Sequence, residues 1–216
     1  YEKKDRWAWG QATHDDYVGY VLAEDLQKTS PEMAPTHKVT VLRSFLYREP
    51  DIKTRPLMGV CMGAQLGVRR FEGRFAEMAE EMGGGFIHAR HIAETHVFES
   101  NPIEVARRFI GAPYFWGGRE SIGLDCSALV QTALMACGQA CPRDSDMQQA
   151  SLGKAVETPE VGDVVFWKGH VGFFSAPNTL LHANAFHMSV VEEDFDAACA
   201  RIAKTDGPIT AIKRLG

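Results

Sequence analysis

Cys126 lies in Gly123-Leu-Asp-Cys-Ser-Ala-Leu-Val-Gln131. The residues after it place Leu129, Val130, Ala133, Leu134 and Cys137 at helical spacing, with Gly138 where a C-terminal cap belongs. Asp125 is suited to be the N-cap, which puts Cys126 in the first turn. Unpaired backbone N–H groups and the positive end of the helix dipole there favour a thiolate. A lone cysteine at a helix start is more often a small packed residue, so the thiol needs partners before it reads as a nucleophile. Two histidines supply them. His170 opens a strand-like run after the Lys168-Gly169 turn, and His182 closes the next run just before Asn184. If these runs pair antiparallel about Pro177-Asn178, both imidazoles come to the same end of the sheet. A thiol, an imidazole to take its proton and a third polar group to orient that imidazole are what covalent thiol catalysis requires. His88, His91, His96 and His187 lack that joint placement and read as packing residues.

The elements that hold these groups follow from the pattern of residues 100–216. Asn101 is a natural N-cap and Pro102 sits at the first helical position, where its missing N–H costs nothing. From there the order is a helix, an aromatic-glycine loop, the Cys126 helix and then hairpins. Strands are expected at 164–167, 170–174, 179–182, 188–192 and 209–212, which makes an α+β domain. Upstream the texture is all-β. Trp7–Gln11 and Asp15–Leu26 read as two short strands around a polar turn, and further strands fall at 38–43, 57–61 and 74–78. One pattern occurs twice, as Gly19-Tyr20-Val21 running to Leu26 and Gly85-Phe86-Ile87 running to Ile92, which points to two copies of one small β-module. The segment from Gln27 to Thr36, with Pro31 and Pro35, reads as the link between them.

Composition narrows the function. Of 216 residues, 45% are apolar and 24% charged, and the net charge of −5 comes with no basic stripe, so no nucleic-acid partner is expected. Apolar runs are interrupted well before the ~20 residues of a spanning helix, so no membrane partner is expected either. Five irregularly spaced cysteines (Cys61, Cys126, Cys137, Cys141 and Cys199) form neither a disulfide framework nor a CxxC metal site. Reduced thiols, a cytoplasmic location (periplasmic or secreted if an N-terminal signal was removed), no metal and no cofactor are the expectations, with Cys137 and Cys141 as structural residues.

Six ordered motifs then carry a resemblance. Tyr114-Phe-Trp-Gly-Gly118, Asp125-Cys-Ser127, Pro142-Arg-Asp-Ser145, Gly162-Asp163 leading to Phe166-Trp167, Gly169-His-Val-Gly172 and His182-Ala-Asn184 resemble the NlpC/p60 cysteine peptidases. These are papain-like enzymes that cut bacterial cell-wall peptides. The upstream segments resemble bacterial SH3-like barrels. The implied organisation is the C-terminal part of a first SH3-like module at 1–30, a second at 37–95 and the peptidase domain at 100–216. An N-terminal portion, with any signal peptide, is expected to lie outside the chain.

The branch with SH3-like modules implies a γ-D-glutamyl-L-diamino acid endopeptidase acting on peptidoglycan-derived peptides with a free N-terminal L-Ala. The resemblance implies Cys126 as nucleophile, His170 as base, His182 as third polar residue and Tyr114 in the oxyanion hole. It also implies Asp125, Ser127, Ser145, Trp116 and, from the first module, Tyr17 (ahead of Tyr20) as substrate-binding residues. Asp125 serves equally as a plain N-cap. Ala128 departs from the family, which usually has glycine there. An amidase or acyltransferase on the same fold, or a non-catalytic wall-binding module, are the competing readings.

Overall fold

The computed structural model describes residues 2–28 and 34–216, which fall into two units, Tyr1–Ala34 and Pro35–Gly216. In the first unit β1 (Glu2–Lys4), β2 (Trp7–Gln11) and β3 (Val18–Leu22) form an antiparallel sheet in that order. Gly10 faces Gly19 across the ladder and Trp9 faces Tyr20, with rings 4.7 Å apart. The polar turn is closed by the Ala12 N–H donating to the Tyr17 carbonyl at 2.8 Å. Of the expected link, residues 29–33 lie outside the described residues.

The second unit begins with eight short strands: β4 (His37–Val39), β5 (Arg43–Tyr47), β6 (Pro56–Cys61), β7 (Gln65–Leu66), β8 (Val68–Glu72), β9 (Phe75–Met78), β10 (Phe86–His88) and β11 (Ile92–Glu94). They make a five-stranded sheet, β6-β5-β10-β9-β8, and a three-stranded one, β11-β4-β7. The two sheets share a core of Val39, Leu46, Val60, Leu66, Ala76, Met78 and Ile87. The chain crosses between them at four corners: residues 40–42, residues 62–64, Gly67, and the short 3-10 turn Ala89–His91. The strand expected at 38–43 is therefore two strands in different sheets, because the corner falls inside it. At Gly67 any side chain would run into Met82. The repeated pattern has the same form both times: β3 runs into the 3-10 turn Ala23–Asp25, as β10 runs into Ala89–His91.

The remaining elements are α1 (Pro102–Arg107), β12 (Arg119–Glu120), β13 (Gly123–Leu124), α2 (Cys126–Ala136), α3 (Ser145–Ser151), β14 (Lys154–Val156), β15 (Val164–Trp167), β16 (His170–Ala176), β17 (Thr179–Asn184), β18 (Ser189–Asp194), α4 (Phe195–Ile202) and β19 (Ala211–Arg214). The Asn101 side chain caps α1 by accepting from the Ile103 N–H at 2.9 Å. Six strands form one antiparallel sheet, ordered β14-β19-β15-β16-β17-β18. Strand alternation divides its side chains. Val164, Phe166, Val171, Phe173, Leu181, Ala183 and Val190 pack with α1 and α2. Val165, Trp167, Phe174, Leu180 and Ile212 pack with Phe195, Ala198 and Ile202 of α4. Five of these elements are absent from the sequence reading: β12, β13, α3, β14 and α4. Four of them are short, and α4 starts directly where β18 ends, so no turn residue separates those two.

Candidate active site

Helix α2 begins as its sequence requires. The Asp125 carboxylate accepts from the Ala128 N–H at 2.9 Å, and the left-handed Gly138 (φ 77°) ends the helix just beyond Cys137. Leu129, Val130, Ala133 and Leu134 are fully buried in the core that α2 shares with α1, β16 and β17, and this packing fixes the position of Cys126. The thiol is buried, and burial followed by the Asp125 charge pushes it up to about 11. Backbone hydrogen bonds from Val171, Ser127 and Cys126 itself oppose that rise without cancelling it. The helix start therefore does not hold a free thiolate at rest, contrary to the expectation from the dipole, because desolvation outweighs it.

Val171, whose backbone bonds the thiol, directly follows His170. The His170 Nε2 lies 2.7 Å from His182 Nδ1, so the sheet joins the two imidazoles as the hairpin predicts. Gly172 makes this possible: continuing the Phe173–Leu181 register sets it opposite His182, and a Cβ there would lie 2.9 Å from the His182 Cβ. Burial, then the neighbouring His182 and Arg201, push His170 down to about 3, so its imidazole is neutral. Burial also lowers fully buried His182, against the pull of Glu193.

Beyond His182 the chain of contacts continues to residues that the sequence reading missed. His182 Nε2 is 2.7 Å from Glu193 Oε1, and Arg201 donates to both oxygens of Glu193 at 2.6 and 2.7 Å. The signal was present in the strand register. His182 pairs with Val191 and Leu180 with Glu193, so Glu193 is the diagonal neighbour of His182 on one face. Arg201 comes from α4 and was not legible without that helix.

On the other side of Cys126, Asp125 and Ser127 are already engaged. Arg143 donates to both oxygens of Asp125 at 2.7 and 3.0 Å and to the Ser127 hydroxyl at 2.8 Å. Gly117 N–H at 2.9 Å and the Ser127 hydroxyl at 3.2 Å also donate to the carboxylate. Arg143 and Asp125 are both buried, so the pair is a bidentate internal clamp. An ammonium would have to displace Arg143 to reach Asp125, so the structure favours the capping and clamping role of that residue over amine binding.

Ser145 is the first residue of α3 and half-buried. Asp144, the N-cap before it, leaves its carboxylate out of the cap. Tyr114 is half-buried on the loop leading to β12. Burial, then the nearness of Cys126 and Asp125, raise its phenol, which keeps it a neutral O–H. Trp116, on the same loop, is 83% exposed and so is available to a ligand. Tyr17 belongs to the first unit, where its N–H donates to Asp15 Oδ1 at 3.3 Å; Tyr20 packs on Trp9. Among the described residues no group of acidic, histidine or cysteine side chains is arranged to hold a metal ion.

Residues 111–201 match the NlpC/P60 family, and residues 1–26 match the bacterial dipeptidyl-peptidase SH3 domain. The chain carries an NlpC/P60 domain. Its fold is that of an NlpC/P60 family protein from Bacillus cereus, with a TM-score of 0.78 at 20% identity over 98% of this chain and 77% of that one. Among curated proteins it is 26% identical to dipeptidyl-peptidase 6 of Lysinibacillus sphaericus over 77% of this chain and 59% of that protein. It is 27% identical to the γ-D-glutamyl-L-lysine dipeptidyl-peptidase of Bacillus subtilis over 77% of this chain and 60% of that protein. The chain thus spans about 60% of the length of these relatives. Cys126, His170 and His182 all fall inside the NlpC/P60 match, as do Tyr114, Arg143 and Glu193.

Proposed function

We propose that this protein is a thiol hydrolase that cleaves the bond from γ-D-Glu to an L-diamino acid, meso-diaminopimelate or L-Lys, in peptidoglycan-derived peptides with a free N-terminal L-Ala. The 2.7 Å contact between His170 and His182, one residue from the backbone bonded to Cys126, carries the reading. The names of the two relatives and the dipeptidyl-peptidase SH3 domain at the N-terminus support the substrate class.

The resting site holds a neutral thiol and a neutral imidazole, so proton transfer accompanies attack rather than preceding it. As the Cys126 sulfur bonds to the γ-carbonyl carbon, its proton passes to His170. The oxyanion is met by backbone N–H at the α2 start and by the Tyr114 phenol. Protonated His170 gives the proton to the departing amine, the C–N bond breaks, and a thioester to Cys126 remains. His170 then takes a proton from water, whose oxygen attacks the thioester and releases the carboxylic acid and the thiol. Since Asp125 is clamped by Arg143, we assign the substrate ammonium to the Pro142–Ser145 segment, where Asp144 and Ser145 offer a carboxylate and a hydroxyl. Five reduced thiols favour a reducing compartment.

Mass spectrometry of L-Ala-γ-D-Glu-L-Lys and its diaminopimelate analogue, each beside an N-acetylated form, tests this. Release of L-Ala-D-Glu from the free peptides only, absent in Cys126→Ala, is the expected result. Equal cleavage of the acetylated forms would remove the amine requirement. No cleavage of either, with Cys126 intact, would favour a wall-binding module.

A further inference from the structure

The hydrogen-bond chain behind the thiol ends in a group that accepts only. An ionised carboxylate has no proton to give, so the 2.7 Å contact between Glu193 Oε1 and His182 Nε2 requires the proton to sit on Nε2. Burial alone would raise the Glu193 carboxyl, but hydrogen bonds from His182 and Arg201 outweigh it and hold Glu193 well below the usual carboxylate range. A neutral His182 with its proton on Nε2 has a bare Nδ1. The 2.7 Å contact from there to His170 Nε2 must then be donated by His170. Neutral His170, with its single proton spent on Nε2, has its Nδ1 free to take a proton.

A competitor stands in the same place. Asn184 Nδ2 lies 3.0 Å from His182 Nε2, and its orientation is set because Asn184 Oδ1 accepts from the His187 N–H at 2.8 Å. That amide is a donor and favours a bare Nε2, which is the opposite tautomer. Glu193 is closer, is charged, and is held through both oxygens by Arg201. Arg201 lies over the Phe186 ring at 4.4 Å, and His187 Nε2 sits 3.5 Å from Glu193 Oε2. With the carboxylate gone, Asn184 would capture His182 Nε2. The proton would move to Nδ1, His170 Nε2 would become the acceptor, and His170 Nδ1 would carry the proton that blocks it as a base.

We infer that Glu193, clamped by Arg201, is a positioning residue that fixes the tautomers of His182 and His170 against Asn184, so that His170 presents a bare Nδ1 for the Cys126 proton. The inference rests on the reading of Cys126 as nucleophile and His170 as base, and goes beyond the three-residue arrangement legible in the sequence.

Imidazole nitrogen NMR of the ¹⁵N-labelled protein reads the tautomers directly and needs no substrate. The expected result is a protonated Nε2 and bare Nδ1 on both His170 and His182 in the unaltered protein, with both rings inverted in Glu193→Ala. In peptide hydrolysis, Glu193→Ala is expected to lose about 100-fold or more in kcat with KM within threefold, the pattern of a wrong tautomer. The double variant Glu193→Ala with Asn184→Ala is expected to recover about tenfold, a rescue that a purely structural role for Glu193 does not give. Iodoacetamide capture of Cys126 at pH 8 should slow about tenfold in Glu193→Ala, so the inference remains testable if the peptide assignment fails. A protonated Nδ1 on His182 in the unaltered protein, or kcat within twofold for Glu193→Ala, would overturn it.

Discussion

At Cys126 the decisive quantity is burial. The helix start offers N–H groups and a favourable dipole, each contributing up to about 1 kcal/mol, but the thiol is closed off from water and its pKa rises to about 11. Iodoacetamide capture of Cys126, followed by mass spectrometry, is therefore expected to accelerate continuously from pH 7 to pH 10. A plateau between pH 5 and pH 8 would instead reveal a thiolate–imidazolium pair at rest. Arg143 presents the converse case, a buried charge made tolerable by pairing. Replacing it with Leu leaves the buried Asp125 carboxylate without its two strongest donors, and a loss of about 3–5 kcal/mol is expected in denaturant unfolding. Asp125→Asn combined with Arg143→Leu should recover part of that loss by removing the stranded charge.

The elements matter through where they permit close approach. Strands β16 and β17 come together at the site because Gly172 has no side chain where His182 packs. Gly172→Ala adds a methyl 2.9 Å from the His182 Cβ, with Leu180 Cδ1 equally close, so the hairpin must open or the imidazole must turn. We expect a cost of about 1–3 kcal/mol in stability and a fall in kcat larger than any change in KM, measured by thermal unfolding and peptide hydrolysis. A variant that keeps both would mean that the strands tolerate the extra volume. The β12–β13 hairpin is a second such place, since Gly118 lies against the Gly123 carbonyl and Phe115 and leads directly into Asp125.

Within Pro35–Gly216 the two sheets formed by β4 to β11 and the NlpC/P60 domain are physically joined. Leu42 and Met62 pack onto the core that contains Cys126 and Leu129, and the Ser121 hydroxyl donates to the Leu42 carbonyl at 3.0 Å. Leu42→Ser with Met62→Ser is expected to lower the melting temperature of the whole unit in one transition; two separated transitions would show that the halves unfold independently. Acid should weaken the unit in a defined window. His170 and His182 bind protons less readily folded than unfolded, so the unfolded chain takes up protons first and stability falls as pH drops from about 6.5 towards 3. Over that window His170 alone accounts for a loss on the order of 2–4 kcal/mol. His170→Asn should flatten the dependence of unfolding free energy on pH; an unchanged slope would show that His170 titrates alike in both states.

Much of the site was legible in one dimension because its parts are local. Asn101 and Asp125 cap helices through their own neighbours, Gly138 ends α2 by its conformation, and the spacing of His170 and His182 about Pro177-Asn178 places two imidazoles together in a hairpin. The repeated Gly-aromatic pattern likewise produces the same strand and 3-10 turn in both places. Other features depended on tertiary approach. The strand expected at 38–43 broke at a corner because two sheets compete for it. Asp125 pairs with Arg143, and His182 connects through Glu193 to Arg201, because separate elements converge there. The pKa of a thiol or an imidazole is set by how much water the surrounding fold excludes, which no spacing encodes. Sequence alone determined which residues are available for the chemistry and which elements carry them. Only the tertiary structure decided which charges are paired, and hence whether the thiol and its base rest charged or neutral.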